Sequence, residues 1–432
     1  MIGFLLFAVF IGMMVVGVPI GVALGLAGTA AIGLANVDSQ WFGLLAVPQN
    51  FYAGLHKYPL LAIPMFVLLG SIFDRSGVAS RLVNFAVAIV GRGPGMLPLV
   101  AIAVAMFLGG VSGSGPANAA AVGGVMIAAM ARAGYPAGYS ASIVGAAAST
   151  DILIPPSIAF IVYSVLVPGA SVPALFAAGL VPGVLVGLAL IVPAVWLARR
   201  HRMGAAEAEL ARPPFWASLR EASWGLAAPV LILGGMRAGW FTPTEAAVVA
   251  VFYGLFIGMA VHRTIGVRDL FPILREAGEL SAVIMVVVAL AGVFAYSLST
   301  LGIIDPITRA ITQSGLGEWG VLSLLVVLLV LVGMVLDGIS IFLIFIPLLT
   351  PLIAHYRWDV VWFGVLLTLL VALGQFTPPM AVNLMVTCRI ARVRMEDTLR
   401  WIGWLLAAML LVVMLVIAFP SLALWLPQSL GY

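Results

Sequence analysis

Long apolar runs separated by short polar segments dominate the chain. The longest runs approach or exceed the ~20 residues that a helix needs to cross a bilayer. They are residues 1–35, 172–198, 278–300, 318–336 and 402–426. Few of these runs carry a charge near the middle. The pattern predicts an all-α integral membrane protein with several spans.

The composition points to the same class of protein. Hydrophobic residues make up 63% of the 432 residues and charged residues only 8%, whereas an average soluble domain is about 25% charged. The first run lacks a basic segment before it, so we expect a first spanning helix and not a cleaved signal peptide. The net charge of +4 comes from basic residues at predicted helix ends. That distribution orients membrane proteins and does not indicate nucleic-acid binding.

Residues that could support enzyme chemistry are few and dispersed. Cys388 is the single cysteine, so it cannot form an internal disulfide. The four histidines lie near predicted helix ends: His56, His201, His262 and His355. A membrane enzyme, such as a lipid-linked transferase, needs clustered Asp or His residues near one membrane face. The sequence shows no such cluster, and we predict neither enzymatic activity nor an organic cofactor.

An internal repeat relates the two halves of the chain. The polar segment 199–222 divides the chain near its midpoint, and Pro155-Pro156 recurs as Pro378-Pro379 after an offset of 223 residues. The same offset pairs Gly110 with Gly333, Gly115 with Gly338 and Ser114 with Asp337. We therefore predict a duplication, with repeats at 1–198 and 223–432 joined by a cytoplasmic linker.

Basic residues predict opposite orientations for the two repeats. By the positive-inside rule, Arg199, Arg200 and Arg202 place the linker in the cytoplasm. Counting spans from this and the other basic loops puts both ends of 95–132 inside and both ends of 318–354 outside. We therefore predict inverted repeats, a cytoplasmic N-terminus and a periplasmic C-terminus.

Each half contains an apolar segment that is interrupted near its centre. Segment 95–132 is broken by small and polar residues from Gly109 to Asn118, and segment 318–354 is broken at Asp337-Gly338-Ile339-Ser340. Non-helical backbone at membrane depth is tolerated only where protein or water covers it. We predict two re-entrant helical hairpins, whose tips expose oxygen atoms suited to a small hard cation.

The Pro-Pro pairs predict a broken helix beside each hairpin. Pro156 and Pro379 lack an amide donor and clash with the preceding turn, so helices 137–168 and 358–392 should unwind near mid-membrane. Broken helices at matching positions of inverted halves mark a transporter's binding site, where half-helix N-termini attract anions and free carbonyls hold sodium. The sequence therefore favours a secondary transporter over a structural membrane scaffold.

Few polar side chains lie in these interrupted segments. Asp337 is the first functional candidate, because an ionisable group at membrane depth is costly unless it is paired or functional. Asp151 is either a ligand or a helix cap, and Thr377 either lines the site or bonds a neighbouring helix. The substrate-binding candidates are Asn118, Asp151, Gln375, Pro379 and Asn383. Glu245, three residues after Thr242, is typical of a helix N-terminal cap.

Together these motifs resemble the large membrane (M) subunit of a tripartite ATP-independent periplasmic (TRAP) transporter, of the dicarboxylate-permease type and the ion transporter superfamily. The resemblance covers essentially the whole chain. It rests on Gly109 to Gly124, Gly134-Tyr135, Ile154-Pro155-Pro156-Ser157, Phe241 to Ala247, Thr377-Pro378-Pro379 and Asn383-Leu384.

The resemblance implies a scaffold and a mobile transport domain that moves like an elevator. It also implies sodium as the coupling ion, bound between each hairpin tip and the facing broken helix. One sodium site would use Ser112, Gly113, Ser114, Asn118, Ile154 and Pro155. The other would use Asp337, Gly338, Ser340, Gly374 and Thr377.

Two partners and a location follow from the same resemblance. A small four-helix membrane subunit and a periplasmic substrate-binding protein would work with this chain in the lipid of a bacterial inner membrane. The solute would be a dicarboxylate, a sialic-acid-like acid or a related molecule. A stand-alone sodium/anion symporter of the same superfamily is the alternative.

Two departures from the family pattern bear on the substrate. Asp151 stands where the family commonly has a small or apolar residue, and no Lys or Arg lies near either predicted tip. Binding of a carboxylate would then depend on backbone amides, helix dipoles and bound sodium. A solute with internally balanced charge, or a neutral polyol, is the alternative to a simple acid.

Overall fold

A computed structural model describes residues 2–35, 41–90, 93–209 and 213–432, and every secondary-structure element in these ranges is helical. The α-helices are α1 (Ile2–Val16), α2 (Ile20–Ala35), α3 (Trp41–Leu44), α4 (Ala46–Leu55), α5 (Ala62–Arg75), α6 (Val78–Val90), α7 (Met96–Ser112), α8 (Gly115–Arg132), α9 (Ala137–Ala148), α10 (Ile158–Leu166), α11 (Val172–Arg200), α12 (Phe215–Arg237), α13 (Pro243–Phe256), α14 (Val267–Thr300), α15 (Ile304–Thr312), α16 (Gly317–Gly333), α17 (Gly338–Tyr356), α18 (Val360–Gly374), α19 (Val382–Ala391), α20 (Leu399–Ala418) and α21 (Ser421–Leu430).

Several helical segments are long and apolar enough to cross a membrane. In the described ranges they are Tyr58–Arg75, Val172–Arg200, Pro243–Val261, Val267–Thr300, Gly338–Tyr356 and Met395–Ala418. Their residues combine high hydropathy with few charges, because a lipid environment rewards apolar side chains on every face of a helix. These segments agree with the predicted all-α, multi-pass membrane protein.

The first apolar run does not form the single spanning helix that we expected from the sequence. Residues 1–35 give two helices, α1 and α2, which pack against each other. The break lies at Gly17, which has a left-handed φ of 90°, and at Pro19, which has no amide to continue the first helix. The apolar run continues through this turn, so the length of the run suggested one helix where the structure has two.

The helices pack into two groups. In the first group, α14 packs against α2, α4 and α5, while α13 packs against α5 and α12. In the second group, α9 contacts α7, α8, α19 and α20, and α11 contacts α7, α18, α20 and α21. The groups meet where α5 contacts α7 and where α14 contacts α17. The candidate site described below lies at this junction.

Polar residues at helix starts set where the long helices begin. Ser171 accepts a hydrogen bond from the Ala174 amide at the start of α11, a helix of 29 residues. Thr242 and Glu245 form a reciprocal capping box at the start of α13. These bonds satisfy amides that have no partner within the helix. The predicted capping role of Glu245 is confirmed.

The segment between α11 and α12 is attached to the base of the first hairpin, α7 and α8. The carboxylate of Glu207 accepts bonds from the Leu97 amide and from the Tyr135 hydroxyl, the latter at 2.7 Å. The Tyr135 oxygen in turn accepts from the Gly95 amide at 2.8 Å. Burial raises the pKa of Glu207, and these donors oppose that effect. Glu207 therefore ties the start of α7 to the turn after α8.

The second hairpin, α16 and α17, crosses α18 at a contact between two glycines. A β-carbon added to Gly374 would lie 2.5 Å from the Gly333 carbonyl carbon. Just beyond this crossing, the Met380 amide donates to the Met334 carbonyl at 3.2 Å. Only glycines allow two helix backbones to approach this closely. The crossing therefore fixes the second hairpin against the interruption that follows α18.

We expect Gly374→Ala to lower thermal stability markedly, because the new β-carbon would overlap backbone atoms that cannot rotate away. Overpacking of this kind costs about 1–3 kcal/mol. Gly403→Ala in α20 is the matched control, because nothing lies within 4 Å of a β-carbon placed there. Melting of both variants in detergent measures the difference, and equal melting temperatures would contradict the Gly333–Gly374 contact.

Candidate functional site

Two helical hairpins and two interrupted helices form the centre of the second helix group. Only Gly113 and Ser114 separate α7 from α8, and residues 334–337 separate α16 from α17. A 3₁₀ turn, Ser149–Ile152, follows α9, and the chain is non-helical until α10 begins. Likewise, residues 375–381 separate α18 from α19. Both interruptions fall at the Pro-Pro pairs.

The tip of the first hairpin faces the first interruption. The carbonyl oxygens of Pro155 and Pro156 lie against Gly110 and Gly113. Asn118, fully buried in the first turns of α8, donates from Nδ2 to the Ala105 carbonyl at 2.9 Å. Its Oδ1 atom is buried and has no hydrogen-bond partner among the described residues. An oxygen in this state is available to a cation.

Most of the first predicted sodium set comes together at this tip. Gly113, Asn118, Ile154 and Pro155 are buried around it, and Ser114 lies half-buried between the hairpin arms. The Ser114 carbonyl accepts from the Asn118 amide at 3.0 Å, as the first bond of α8. Ser112 ends α7, but its side chain lies outside the described part of the chain.

At the tip of the second hairpin, Asp337 is the N-cap of α17. Its Oδ2 accepts from the Ser340 amide at 3.2 Å, and its Oδ1 accepts from the Ser340 hydroxyl. Thr377, in the facing interruption, donates its hydroxyl to the Leu373 carbonyl at 2.5 Å. Gly374 packs on Gly333. Asp337 therefore combines a capping role with a carboxylate that remains largely exposed.

Gln375 lies between the two hairpin tips. A β-carbon on Gly115 would lie 2.7 Å from Gln375 Oε1, and one on Gly338 would lie 3.5 Å from Gln375 Nε2. Asn383 donates from Nδ2 to Gln375 Oε1 at 3.2 Å, while its own buried Oδ1 has no hydrogen-bond partner in the described structure. The side-chain amide of Gln375 thus lies against both hairpin tips and accepts a hydrogen bond from Asn383, at the start of α19.

A cavity of about 340 Å³ opens at this point, between the hairpin tips and the first helix group. Ser114, Gly115, Asp337, Gly338, Ser340 and Gln375 line it on the hairpin side. The opposite wall comes from α5 and α14, with polar groups from Ser71, Asp74 and Glu276. The described lining residues include no Lys, Arg or His. Arg75 nevertheless pairs with Glu276 at 2.7 Å.

The other predicted substrate residues lie outside this lining. Asp151 is fully buried and packs against Gly109 of α7. Asn118 and Asn383 are fully buried behind the cavity surface. Pro379 lies within the second interruption and is exposed. Of the five candidates, Gln375 is the one that the structure places on the cavity wall.

Sequence reasoning missed the wall formed by α5 and α14. Asp74 lies in the last turn of an apolar helix, next to Arg75. An ionisable residue in such a helix is a signal of function, and Asp74 carries that signal in the sequence. The ion pair of Arg75 with Glu276, 201 positions further along the chain, is visible only in the fold.

Comparison with known protein families identifies the group to which this arrangement belongs. The family model described as "Tripartite ATP-independent periplasmic transporter, DctM component" matches residues 7–422. The chain belongs to the DctM family. The predicted resemblance to a TRAP large subunit is therefore confirmed.

Named relatives of this DctM-family permease are transporters. It is 37% identical over 411 residues to the C4-dicarboxylate TRAP transporter large permease of Pseudomonas aeruginosa, covering 95% of this chain and 94% of that one. It is 35% identical to the isethionate TRAP permease of Oleidesulfovibrio alaskensis, covering 96% of this chain but only 65% of that longer protein. The sialic acid TRAP large permease of Vibrio cholerae is 31% identical, with 98% of both chains covered. The expectation of a permease and not an enzyme is confirmed.

A solved structure supports the fold. The YdaH transporter of Alcanivorax borkumensis aligns with a TM-score of 0.61, covering 89% of this permease and 90% of that chain. The sequence identity is 13%, so the likeness concerns the fold alone. Family membership and the apolar helices of the described ranges make the permease a multi-pass membrane protein, and its family implies a tripartite transport system.

We expect Gly115→Ala to impair transport while the protein stays folded, because the methyl group would displace the Gln375 and Asn383 side chains from the hairpin tip. Uptake should fall about tenfold, the effect of a misplaced binding group. Gly124→Ala, in the same helix with open space around it, is the matched control. Uptake by proteoliposomes measures the effect. Full activity of Gly115→Ala would exclude this contact from the site.

Proposed function

We propose that this permease catalyses sodium-coupled uptake of a small organic acid. A periplasmic binding protein delivers the acid, and a small four-helix membrane subunit accompanies the permease. The cavity bounded by both hairpin tips, Gln375 and the α5–α14 wall is the observation that carries the proposal. Two half-helices begin at this cavity, and discontinuous helices around a central cavity are the usual construction of a secondary transporter site.

The oxygen atoms around the first hairpin tip support a sodium site. Asn118 Oδ1 is buried without a partner, and the carbonyls of Pro155 and Pro156 lie beside the same tip. Leaving a buried polar group unsatisfied costs about 1–3 kcal/mol. A bound sodium ion would remove that cost, because hard cations prefer amide and carbonyl oxygens. The second site would use Asp337 and Ser340, with the carbonyls near Gly374.

Helix dipoles support an anionic group on the substrate. α8 begins at Gly115 and α17 at Gly338, and both residues line the cavity. The partial positive charge at these N-termini favours a carboxylate or sulfonate. The relatives named for C4-dicarboxylate, isethionate and sialic acid act on solutes of this class. Since Arg75 is already paired with Glu276, a monoanion or an acid with internally balanced charge fits better than a dianion.

The packing of the two helix groups supports an elevator mechanism. The cavity lies between the hairpin group and the α5–α14 wall, so a sliding movement of one group past the other would carry the site across the membrane. The hairpins and interrupted helices would form the transport domain, and the first group would form the scaffold. Their arrangement as inverted repeats, 1–198 and 223–432, is part of this proposal.

We predict that Asn118→Ala and Asp337→Asn reduce sodium-driven uptake about tenfold. Both changes remove oxygen ligands, so the sodium concentration for half-maximal uptake should rise more than the KM for substrate. Asn50→Ala and Asp305→Asn, on α4 and α15 away from the cavity, are matched controls. Proteoliposomes with the binding protein and the small subunit provide the assay.

A second measurement separates loss of sodium binding from misfolding. Sodium should raise the melting temperature of the wild-type permease relative to choline, because a ligand that binds only the folded state stabilises it. Asn118→Ala should fold but show a smaller sodium effect. Identical sodium responses in wild type and variant would remove Asn118 from the site. Uptake by the permease without either partner would support the stand-alone symporter instead.

The inverted orientation of the hairpins predicts opposite labelling of their bases. Ala131→Cys lies at the base of the first hairpin and Ser314→Cys at the base of the second, and both positions are exposed. The native Cys388 is buried, and a Cys388→Ala background removes it. Membrane-impermeant maleimide should reach one new cysteine from outside intact cells and the other only after permeabilisation. Reaction of both from one side would contradict the inverted repeat.

A further inference from the structure

The outer surface of α11 carries an apolar stripe that ends in basic residues. Val184, Leu188, Val192 and Trp196 recur every four residues and are all exposed, with Val192 at 69%. Arg200 continues the same spacing, and its guanidinium lies over the Trp196 ring at 4.8 Å. From Val184 to Trp196 the stripe is about 18 Å long. That length matches one leaflet of a hydrocarbon core of ~30 Å.

A second stripe runs beside the first on α20. Trp404, Leu411 and Leu415 are exposed on this helix, which packs against α11. The Trp196 and Trp404 rings contact each other with centroids 4.9 Å apart. Arg400 precedes Trp404 by one turn, so both stripes start at the same basic end. Two parallel apolar tracks with a shared polar end match the shape of a lipid with two acyl chains.

The basic end has charge that the protein does not neutralise. The guanidinium groups of Arg199 and Arg200 form neither an ion pair nor a hydrogen bond with any described residue. They line a groove between α11 and the start of α7 with Met96, Leu99, Ile191, Val192, Val195 and Trp196. Arg400 bonds His201 at 3.3 Å. Arg199 and Arg200 thus offer the groove a charge suited to an anionic group, and Arg400 adds a third arginine at the start of the adjacent helix α20.

The neighbouring acidic groups leave this charge available. Asp397 pairs with Arg394 at 3.7 Å. Glu207 is buried and accepts bonds from the Leu97 amide and the Tyr135 hydroxyl. Glu396, on the turn before α20, is exposed. Arg200, stacked on Trp196, and its neighbour Arg199 therefore present positive charge to whatever occupies the groove.

We propose that this face is a specific site for an anionic diacyl phospholipid, whose phosphodiester binds Arg199, Arg200 and Arg400 and whose acyl chains lie along α11 and α20. Basic pockets between membrane helices bind anionic headgroups in this way. The site lies on the outer surface of the second helix group and does not depend on the proposed sodium coupling or substrate.

Native mass spectrometry of the full chain, purified in detergent and delipidated, tests the proposal. Dioleoyl phosphatidylglycerol should bind about tenfold more tightly than dioleoyl phosphatidylcholine, because only the former carries a net negative charge. The double variant Arg199→Gln/Arg200→Gln should lose about tenfold in affinity for phosphatidylglycerol. Arg263→Gln/Arg268→Gln, which removes the same charge from another exposed segment, should lose nothing.

Four results would overturn the proposal. Equal binding of both lipids would make the face an ordinary bilayer contact, and equal losses in the two double variants would make the effect one of net charge. Displacement of the lipid by glycerol 3-phosphate would identify a site for a soluble anion. Trp196→Leu keeps the apolar stripe but removes the ring, so it should fold normally and weaken phosphatidylglycerol binding. Unchanged binding in that variant would also contradict the model.

Discussion

Two apolar helices of this membrane protein are interrupted, and the surrounding structure provides hydrogen-bond partners for backbone groups at each break. Backbone groups in such a break cannot turn to water without cost. At the first break, the Ser157 hydroxyl donates to the Ile152 carbonyl and accepts from the Phe160 amide. At the second, the amide of Met380 bonds the Met334 carbonyl. Each hairpin packs over one of these breaks. Glycines at the contacts allow the hairpin backbone to approach the broken helix closely.

The same constraint accounts for the chemistry of the site. A carbonyl freed from its helix can bind a cation, and a helix that begins at the break presents amides to an anion. Asp337 has two roles, since its carboxylate caps α17 and also lines the cavity. The Arg75–Glu276 pair shows the opposite case, where a charge on the wall is neutralised before a solute arrives. The described lining of the cavity carries carboxylates but no basic side chain, so positive potential there comes from the helix N-termini.

Local patterns in the sequence carried much of the prediction. Apolar runs indicated the membrane class, and the Pro-Pro pairs indicated where helices stop, because a missing amide acts on its own turn. The paired spacing of Gly110 and Gly115 with Gly333 and Gly338 pointed to the duplication, and the interrupted apolar segments pointed to the hairpins. Local patterns did not predict contacts between residues far apart in the sequence. Glu207 reads as one acid in a polar linker, yet it ties the two ends of the first hairpin together.

The sequence by itself determined that this protein is a membrane protein, that its helices break at two matched places, and that it resembles the DctM family. Those features depend on residue type and short-range spacing, which act before any long-range contact forms. Tertiary structure alone decided that Gln375 lies between both hairpin tips, that Asp151 is buried against α7, and that α5 and α14 close the cavity. These arrangements depend on which helices pack together, and an apolar helix surface does not by itself specify its neighbour.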